Sequence, residues 1–289
     1  MARNRFIDWA SRAVVCGLIL VSPALGGTFS YPNFASLAGL DLNGNAAQQA
    51  NRVRLTMQTL ESGSVFRTTT EPISGGFETT FSFIINGITP DFADGLAFVI
   101  QNDPSGSGAL GLCCGQIGYG GMTNSLAIEF DTFLNAGWND PNANHIGVQS
   151  CGAAENTADH DTSCNLGLAA TPGSPAVPGG ISLTSAMRTA RIVYAGTTLT
   201  VYLTDDGNVE RQVLQVTNLD LGSLVGSSAY VGFTASTGDA ASYHDIISWT
   251  WNSAGDEEPT FGTPEPSSWL LSGAGALFLA LARRRKVQA

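Results

Sequence analysis

The sequence predicts an all-β chain, an antiparallel β-sandwich or jelly roll, and three observations carry that expectation. Large apolar residues alternate with polar ones over short runs, as in FETTFSFII, where Phe77, Thr79, Phe81, Phe83 and Ile85 fall on one face. Clusters of Gly, Asn, Asp and Pro separate these runs, as sheet turns require. Between about Thr28 and Asn252 there is no helical periodicity of useful length, no long linker and no clear internal repeat. Many short strands without crossover helices belong to one antiparallel domain rather than to an α/β fold.

Taken in order, the candidate strands are FETTFSFII (77–85), LAFVI (96–100), SLAIEFDTF (125–133) and ARIVYA (190–195), followed by TLTVYLT (198–204), YVGFTAS (230–236) and DIISWTW (245–251). In TLTVYLT, Leu199, Val201 and Leu203 share a face. With 43% hydrophobic and 13% charged positions in 289 residues, the chain can bury a sizeable core and is far from a disordered composition.

Both ends read as processing segments. Residues 1–26 carry Arg3, Arg5 and Arg12, then an apolar run from Ala13 to Val21, then small residues, the layout of a secretory signal peptide with cleavage near Gly26. A retained transmembrane helix is the alternative, but the run is short for a bilayer. A body of 27–253 is followed by an acidic linker (254–263) and a terminal segment (264–289). That segment holds Pro264-Glu265-Pro266, the apolar stretch Ser267 to Ala282, and the basic cluster Arg283, Arg284, Arg285 and Lys286. The order of these parts resembles the bacterial PEP-CTERM sorting signal, which implies exosortase as a processing partner, transient anchoring in the inner membrane and delivery to the cell surface or extracellular matrix. A simple permanent anchor is the alternative, with the basic cluster cytoplasmic.

Outside the two ends the basic residues are Arg52, Arg54, Arg67, Arg188, Arg191 and Arg211, against 22 of the chain's 24 acids, a formal charge of −16. Such a body repels nucleic acid and anionic membrane surfaces and suits neutral ligands and bound cations. Removal of Cys16 with the leader leaves Cys113, Cys114, Cys151 and Cys164, an even number that favours disulfides in an exported chain. Three pairings are open; Cys151 with Cys164, closing a short polar loop, is preferred. A four-cysteine zinc site fits the adjacent pair poorly.

The acids concentrate in EFDTFLNAGWNDPNANHIG (129–147). On the strand 125–133, Leu126, Ile128 and Phe130 face the core, while Ala127, Glu129, Asp131 and Phe133 face the other way. Two carboxylates side by side repel each other unless a cation lies between them or one is protonated. A turn-rich loop then supplies Asn135 and Asp140, Pro141 stiffens the backbone, and His145 opens HIGV. Hard oxygen donors suit calcium, and carboxylates joined by one imidazole suit a transition ion such as manganese. Five donors suffice for two ions sharing carboxylates. His160, in ADHD, reads as a solvated loop residue, and His244 as structural.

At these residues the chain resembles the legume-type (L-type) lectins and their bacterial relatives, whose pattern Glu-x-Asp-x-aromatic-x-Asn, loop, Asp-Pro, His-aliphatic-Gly is met in order by Glu129, Asp131, Phe133, Asn135, Asp140, Pro141, His145, Ile146 and Gly147. The resemblance spans about Thr28 to Ser253 and implies a concanavalin A-like lectin fold. It also implies Mn2+ held by Glu129, Asp131, Asp140 and His145, and Ca2+ held by Asp131, Asp140, Asn135 and the carbonyl of Phe133. ADGLAFVIQND is similar to a family segment whose Ala-Asp peptide is cis, so Ala93 and Asp94 are expected to be joined that way. Asp94 would accept hydrogen bonds from sugar hydroxyls, Asn135 would donate its amide to the same sugar, and Phe133 would stack on the pyranose. SGSGALGLCC matches loosely a glycine-rich loop that offers a backbone N–H, from Gly108 or next Gly106. The stretch VGFTASTGDAASYHDIISWTW places Gly238 and Asp239 in the loop that varies with sugar choice. Family members often pair through sheet edges, so a homo-oligomer is considered.

The expected function is a Ca2+- and Mn2+-dependent carbohydrate-binding lectin on a bacterial surface or matrix, without catalysis. One alternative is a matrix or adhesion protein whose metal site is purely structural. Another is a sandwich-fold retaining glycosidase, which needs two carboxyl groups about 5 to 5.5 Å apart across the sugar bond. The second alternative is weaker, because cations bound to Glu129 and Asp131 would leave neither a nucleophile nor a proton donor.

Overall fold

A computed structural model describes residues 26–170 and 177–254. Among these, the strands in chain order are β1 (Thr28–Tyr31), β2 (Leu40–Gly44), β3 (Ala47–Gln49), β4 (Arg52–Arg54), β5 (Ser62–Arg67), β6 (Glu71–Pro72), β7 (Phe77–Gly87) and β8 (Gly95–Gln101). They continue with β9 (Ser125–Asp131), β10 (His145–Gly152), β11 (Asn165–Ala169), β12 (Met187–Ala195), β13 (Thr198–Thr204), β14 (Glu210–Val216), β15 (Ser228–Ser236) and β16 (Ser242–Ser253). The one α-helix among the described residues, α1 (Leu221–Val225), is a single turn whose first N–H groups are capped by Asp220.

Two antiparallel sheets face each other. One runs β14-β13-β12-β7-β16-β4-β3, with β1 added on β16; the other runs β11-β10-β9-β8-β15-β5-β2, with β6 added on β15. The aromatic residues that made the alternation legible meet between them. Phe81 and Phe83 of β7 and Trp249 of β16 project from one sheet, and Phe98, Phe130 and Phe233 from the other; all are fully buried. Their rings prefer tilted and edge-on contacts, such as Phe81 with Phe233 at 4.8 Å and with Phe130 at 5.8 Å between centroids.

The strand expected over 125–133 stops at Asp131, because Phe133 N–H turns back to donate to Asp131 Oδ1 at 2.8 Å. Its alternation holds: Leu126, Ile128 and Phe130 join the inter-sheet core. The opposite face is also buried, which sequence alternation alone does not require. Ala109, Ile117, Tyr119 and Met122 lie over it and form a second cluster with Ala97, Val99 and Ala127. That cover is what removes Glu129 from water.

The disulfide joins Cys151 to Cys164, as preferred from the sequence, and Cys113 and Cys114 carry free thiols. The residues expected to form the leader and the apolar terminal stretch lie outside the described residues. Among the described residues, no helix is long and apolar enough to cross a membrane.

Phe81→Ala removes a ring that touches four other aromatic rings. Chemical denaturation is expected to show a loss of about 3–5 kcal/mol, the usual cost of truncating a buried Phe.

Candidate metal centre and adjoining pocket

Cross-strand register decides which side chains share the acidic site. Strand β9 lies between β8 and β10, so Glu129 has Ala97 on one side and Gly147 on the other, and Asp131 has Gly95 and His145. The small neighbours leave the space that two carboxylates need. At Gly147 even a methyl group would come 2.2 Å from Glu129 Oε1 and 3.0 Å from the His160 ring.

The loop after β9 then folds back. Asp140 Oδ2 accepts from Asn135 N–H at 2.6 Å, which closes the loop beside the strand. The potential donor atoms of Asp131, Asp140 and His145 lie within 4.8 Å of one another, and so do those of Glu129, His145 and His160. Glu129, Asp131 and His145 are at most 1% exposed.

Burial and mutual repulsion dominate the electrostatics. Asp131 is pushed well above the carboxylate range by burial, then by the charges of Asp140 and Glu129. Asp140 is pushed up to about 7, chiefly by burial. Burial also opposes ionisation of Glu129, but hydrogen bonding and charge from His160 outweigh it, and its carboxyl sits below its ordinary value. Burial holds the His145 imidazole down at about 4. Among the described residues no arginine relieves this cluster: Arg52 and Arg54 pair with Asp245, Arg67 with Glu71, Arg188 with Asp206, Arg191 with Glu210 and Arg211 with Asp205.

Orphaned oxygens provide a test of whether this donor set fits a cation. Asn135 Oδ1 is buried without a hydrogen-bond partner, and Glu129 Oε1 is faced only by the His160 ring nitrogen, 3.1 Å away. A carboxylate oxygen in that state is costly unless a positive charge faces it. The mixed oxygen and imidazole donors fit one hard and one borderline divalent ion.

Beside the cluster lies a cavity of about 300 Å³ lined by Leu60, Asp94, Cys114, Phe133, Asn135 and Gly238–Ala240. The Ala93–Asp94 peptide is cis. Asp94 Oδ2 is another buried oxygen without a partner. Burial raises the Asp94 carboxyl to about 7, against opposing hydrogen bonds from Gly238 N–H and the Asn135 side chain. Asp94 is thus a buried acceptor in a cavity that Phe133, Asn135 and Gly238 also line, which suits a polar ligand bearing hydroxyl groups.

The structure thus brings Asp94, Phe133, Asn135, Gly238 and Asp239 together, and it does not bring Gly108 to them. Gly108 N–H donates to Ser105 O at 3.1 Å and Gly106 N–H to Asp103 O at 2.9 Å, so both are spent inside their own turn. The backbone that reaches the pocket belongs to the next turn. Gly115 packs so close to Asn135 that a methyl group there would meet its Oδ1 at 2.8 Å, and Cys114 lines the wall.

His160 is the larger correction. It is not solvated: its side chain is 3% exposed, and its Nε2 lies 3.1 Å from Glu129 Oε1 and 2.9 Å from His145 Nε2. The loop closed by Cys151 and Cys164 folds it inward, and His160 N–H is held by Trp138 O at 2.9 Å. Tyr119 was also missed; its buried hydroxyl donates to Glu129 Oε2 at 2.5 Å. His244 is structural as expected, fully buried with Nδ1 2.7 Å from Thr56 Oγ1.

Comparison with known proteins agrees with this architecture. The legume lectin domain model matches residues 27–266, and the PEP-CTERM protein-sorting motif matches residues 263–286. A seed lectin of Styphnolobium japonicum is 30% identical over 253 residues, covering 78% of each chain. A probable L-type lectin-domain containing receptor kinase S.7 of Arabidopsis thaliana is 32% identical over 198 residues, covering 63% of this chain but only 27% of the kinase. Among solved structures, peanut lectin with a 9mer peptide superposes with a TM-score of 0.65 at 24% identity, covering 81% of this chain and all of that one. The Bauhinia forficata lectin in complex with GalNAc gives 0.64 at 22% identity, covering 80% of this chain and all of that one. At such identities these two likenesses speak to the fold, the concanavalin A-like sandwich. The sorting motif implies export and delivery to the cell envelope. The part of these homologues that the chain matches is a lectin domain, a non-catalytic carbohydrate-binding module, so the glycosidase alternative is set aside. This chain belongs to the legume lectin domain family, as a non-enzymatic member that carries a PEP-CTERM sorting motif at its C-terminal end.

Proposed function

We propose that the chain is an exported lectin that binds a mono- or oligosaccharide in the Asp94 pocket, and that its binding depends on Ca2+ and Mn2+ held next door. The observation that carries this reading is a set of buried oxygens that no arginine faces: Asn135 Oδ1 and Asp94 Oδ2 lack hydrogen-bond partners, Glu129 Oε1 faces only the His160 ring, and every arginine of the body is paired elsewhere. Family membership supports carbohydrate as the ligand class.

In this reading Asp131, Asp140, the Asn135 side-chain oxygen and the Phe133 carbonyl hold calcium, and Glu129, Asp131, Asp140 and His145 hold the transition ion. The ions supply positive charge that keeps the carboxylates ionised and ties the loop 132–144 to β9. Asn135 then keeps its oxygen inward and turns its amide N–H outward. Asp94 accepts from sugar hydroxyls, Phe133 covers the apolar face of the ring, and the loop at Gly238 and Asp239 sets the edge of the pocket. Residues 27–253 form the binding domain, 254–263 a linker and 264–289 the segment processed by exosortase, with residues 1–26 removed as a leader.

Glycan-array binding by the mature domain should vanish in Asp94→Ala and on chelation, while Asp94→Ala keeps its bound ions and its unfolding transition. Retained glycan binding in that variant would move the sugar site elsewhere. A second outcome concerns pH. In the cation-free protein Asp94 and Asp140 titrate near 7 when folded, against an ordinary value of 3.8. The folded chain then holds protons that the unfolded chain has released, so stability falls as pH rises through 7. Above a pH of about 6.5 the histidines are neutral in the unfolded chain too. His145 and His244, which titrate at about 4 and about 3 when folded, then no longer oppose the trend. The urea midpoint of chelated protein is therefore expected to be lower at pH 8 than at pH 7, and calcium with manganese should abolish that difference.

A further inference from the structure

We infer that His160 is an additional protein ligand at the transition-ion position, and that it strengthens the preference of that position for imidazole-seeking ions, from cobalt to zinc, over manganese. The inference rests on the proposed pair of ions and adds a residue outside the motif that identified them. His160 comes from the loop between Cys151 and Cys164.

The geometry around Nε2 carries the argument. His145 Nδ1 lies 2.8 Å from the carbonyl of Asn142, which can only accept, so Nδ1 bears the proton and Nε2 keeps its lone pair. His160 Nε2 points at that lone pair from 2.9 Å and at Glu129 Oε1 from 3.1 Å. Asp140 Oδ1 stands 3.7 Å away. Bonds of about 2.1 Å to a central ion set right-angled neighbours about 3.0 Å apart. The two short separations fit adjacent ligands on one ion as well as they fit direct hydrogen bonds, and metal titration of His160→Ala separates the two. Gly147 keeps the space open, since any side chain there would strike both Glu129 Oε1 and the His160 ring.

Outer contacts aim the same groups. Tyr119 donates to Glu129 Oε2 and so turns Oε1 toward the histidines. His160 Nδ1 lies 2.9 Å from the Gln149 side-chain amide, whose oxygen has no other partner; with the amide turned over, that oxygen accepts from Nδ1–H and frees Nε2. The disulfide and the bond from His160 N–H to Trp138 O hold the loop so that the ring arrives already oriented. A second imidazole favours cobalt, nickel and zinc over manganese, because manganese gains least from nitrogen donors and stands lowest in the affinity series.

The competing account makes His160 a protonated plug that neutralises Glu129 and must be displaced by the ion. Titrations of chelator-stripped wild type and His160→Ala with Mn2+, Co2+ and Zn2+ separately, read by calorimetry, distinguish the two, with Ca2+ binding as an internal control. The inference expects Co2+ and Zn2+ to weaken by about tenfold or more in the variant and Mn2+ by less, while Ca2+ binding persists. The Cu2+-loaded protein should show nitrogen hyperfine coupling from two imidazoles in the wild type and one in the variant. An unchanged Zn2+ to Mn2+ affinity ratio, tighter binding of all the transition ions in His160→Ala, or one imidazole in both spectra would overturn it. Absence of any ion binding in the wild type would instead remove the underlying reading of two ions.

Discussion

Three carboxylates buried together, with no arginine and a single imidazole, His160, to set against their charge, are the constraint on which this structure turns. Glu129, Asp131 and Asp140 converge behind a covering segment, and the arginines of the domain are tied to other acids at the periphery. Removing one ionised carboxylate from water costs several kcal/mol even after relaxation, so three together select strongly for bound cations or for protonation. The raised titration of Asp131 and Asp140 expresses that frustration in the cation-free chain. The sandwich supplies the rigid frame that makes the frustration persist.

The frame and the site are linked by cross-strand neighbours. Strand β9 turns its aromatic and aliphatic residues to the inter-sheet core and its acids to the opposite face, so one alternation serves both packing and chemistry. Gly147 flanks Glu129 because any side chain there would fill the volume that the carboxylate and His160 occupy, and Gly95 lets β8 approach the β9 backbone at Phe130 and Asp131. The pocket is coupled to the cluster through Asn135, whose backbone N–H is fixed by Asp140 and whose side chain reaches Asp94. A loop that loses its hold on Asp140 also loses the wall of the pocket.

Much of this was legible in the sequence, for reasons that differ by element. Strands β7, β8, β9, β12, β13, β15 and β16 stand out because they are long, central and carry large apolar residues every second position. Strands such as β3, β4 and β6 span two or three residues each, too few for a period to register. The acidic motif was legible because its spacing on one strand and the following loop is local. His160 was not, because a polar stretch around it reads as solvated, and only the return of the chain between two cysteines carries it under cover. Gly108 shows the converse: glycine spacing suggested a donor facing the ligand, whereas the backbone closes on itself there and leaves Gly115 and Cys114 at the pocket.

The central claim, that cations resolve the buried acidic cluster, is tested most directly by counting ions. The mature domain would be stripped with a chelator, dialysed against a mixture of calcium and a transition ion, freed of excess and analysed by elemental mass spectrometry. The account predicts one calcium and one transition ion per chain. A folded chain that retains neither would contradict it, because the carboxylates would then have to be stabilised by protonation and side-chain contacts alone.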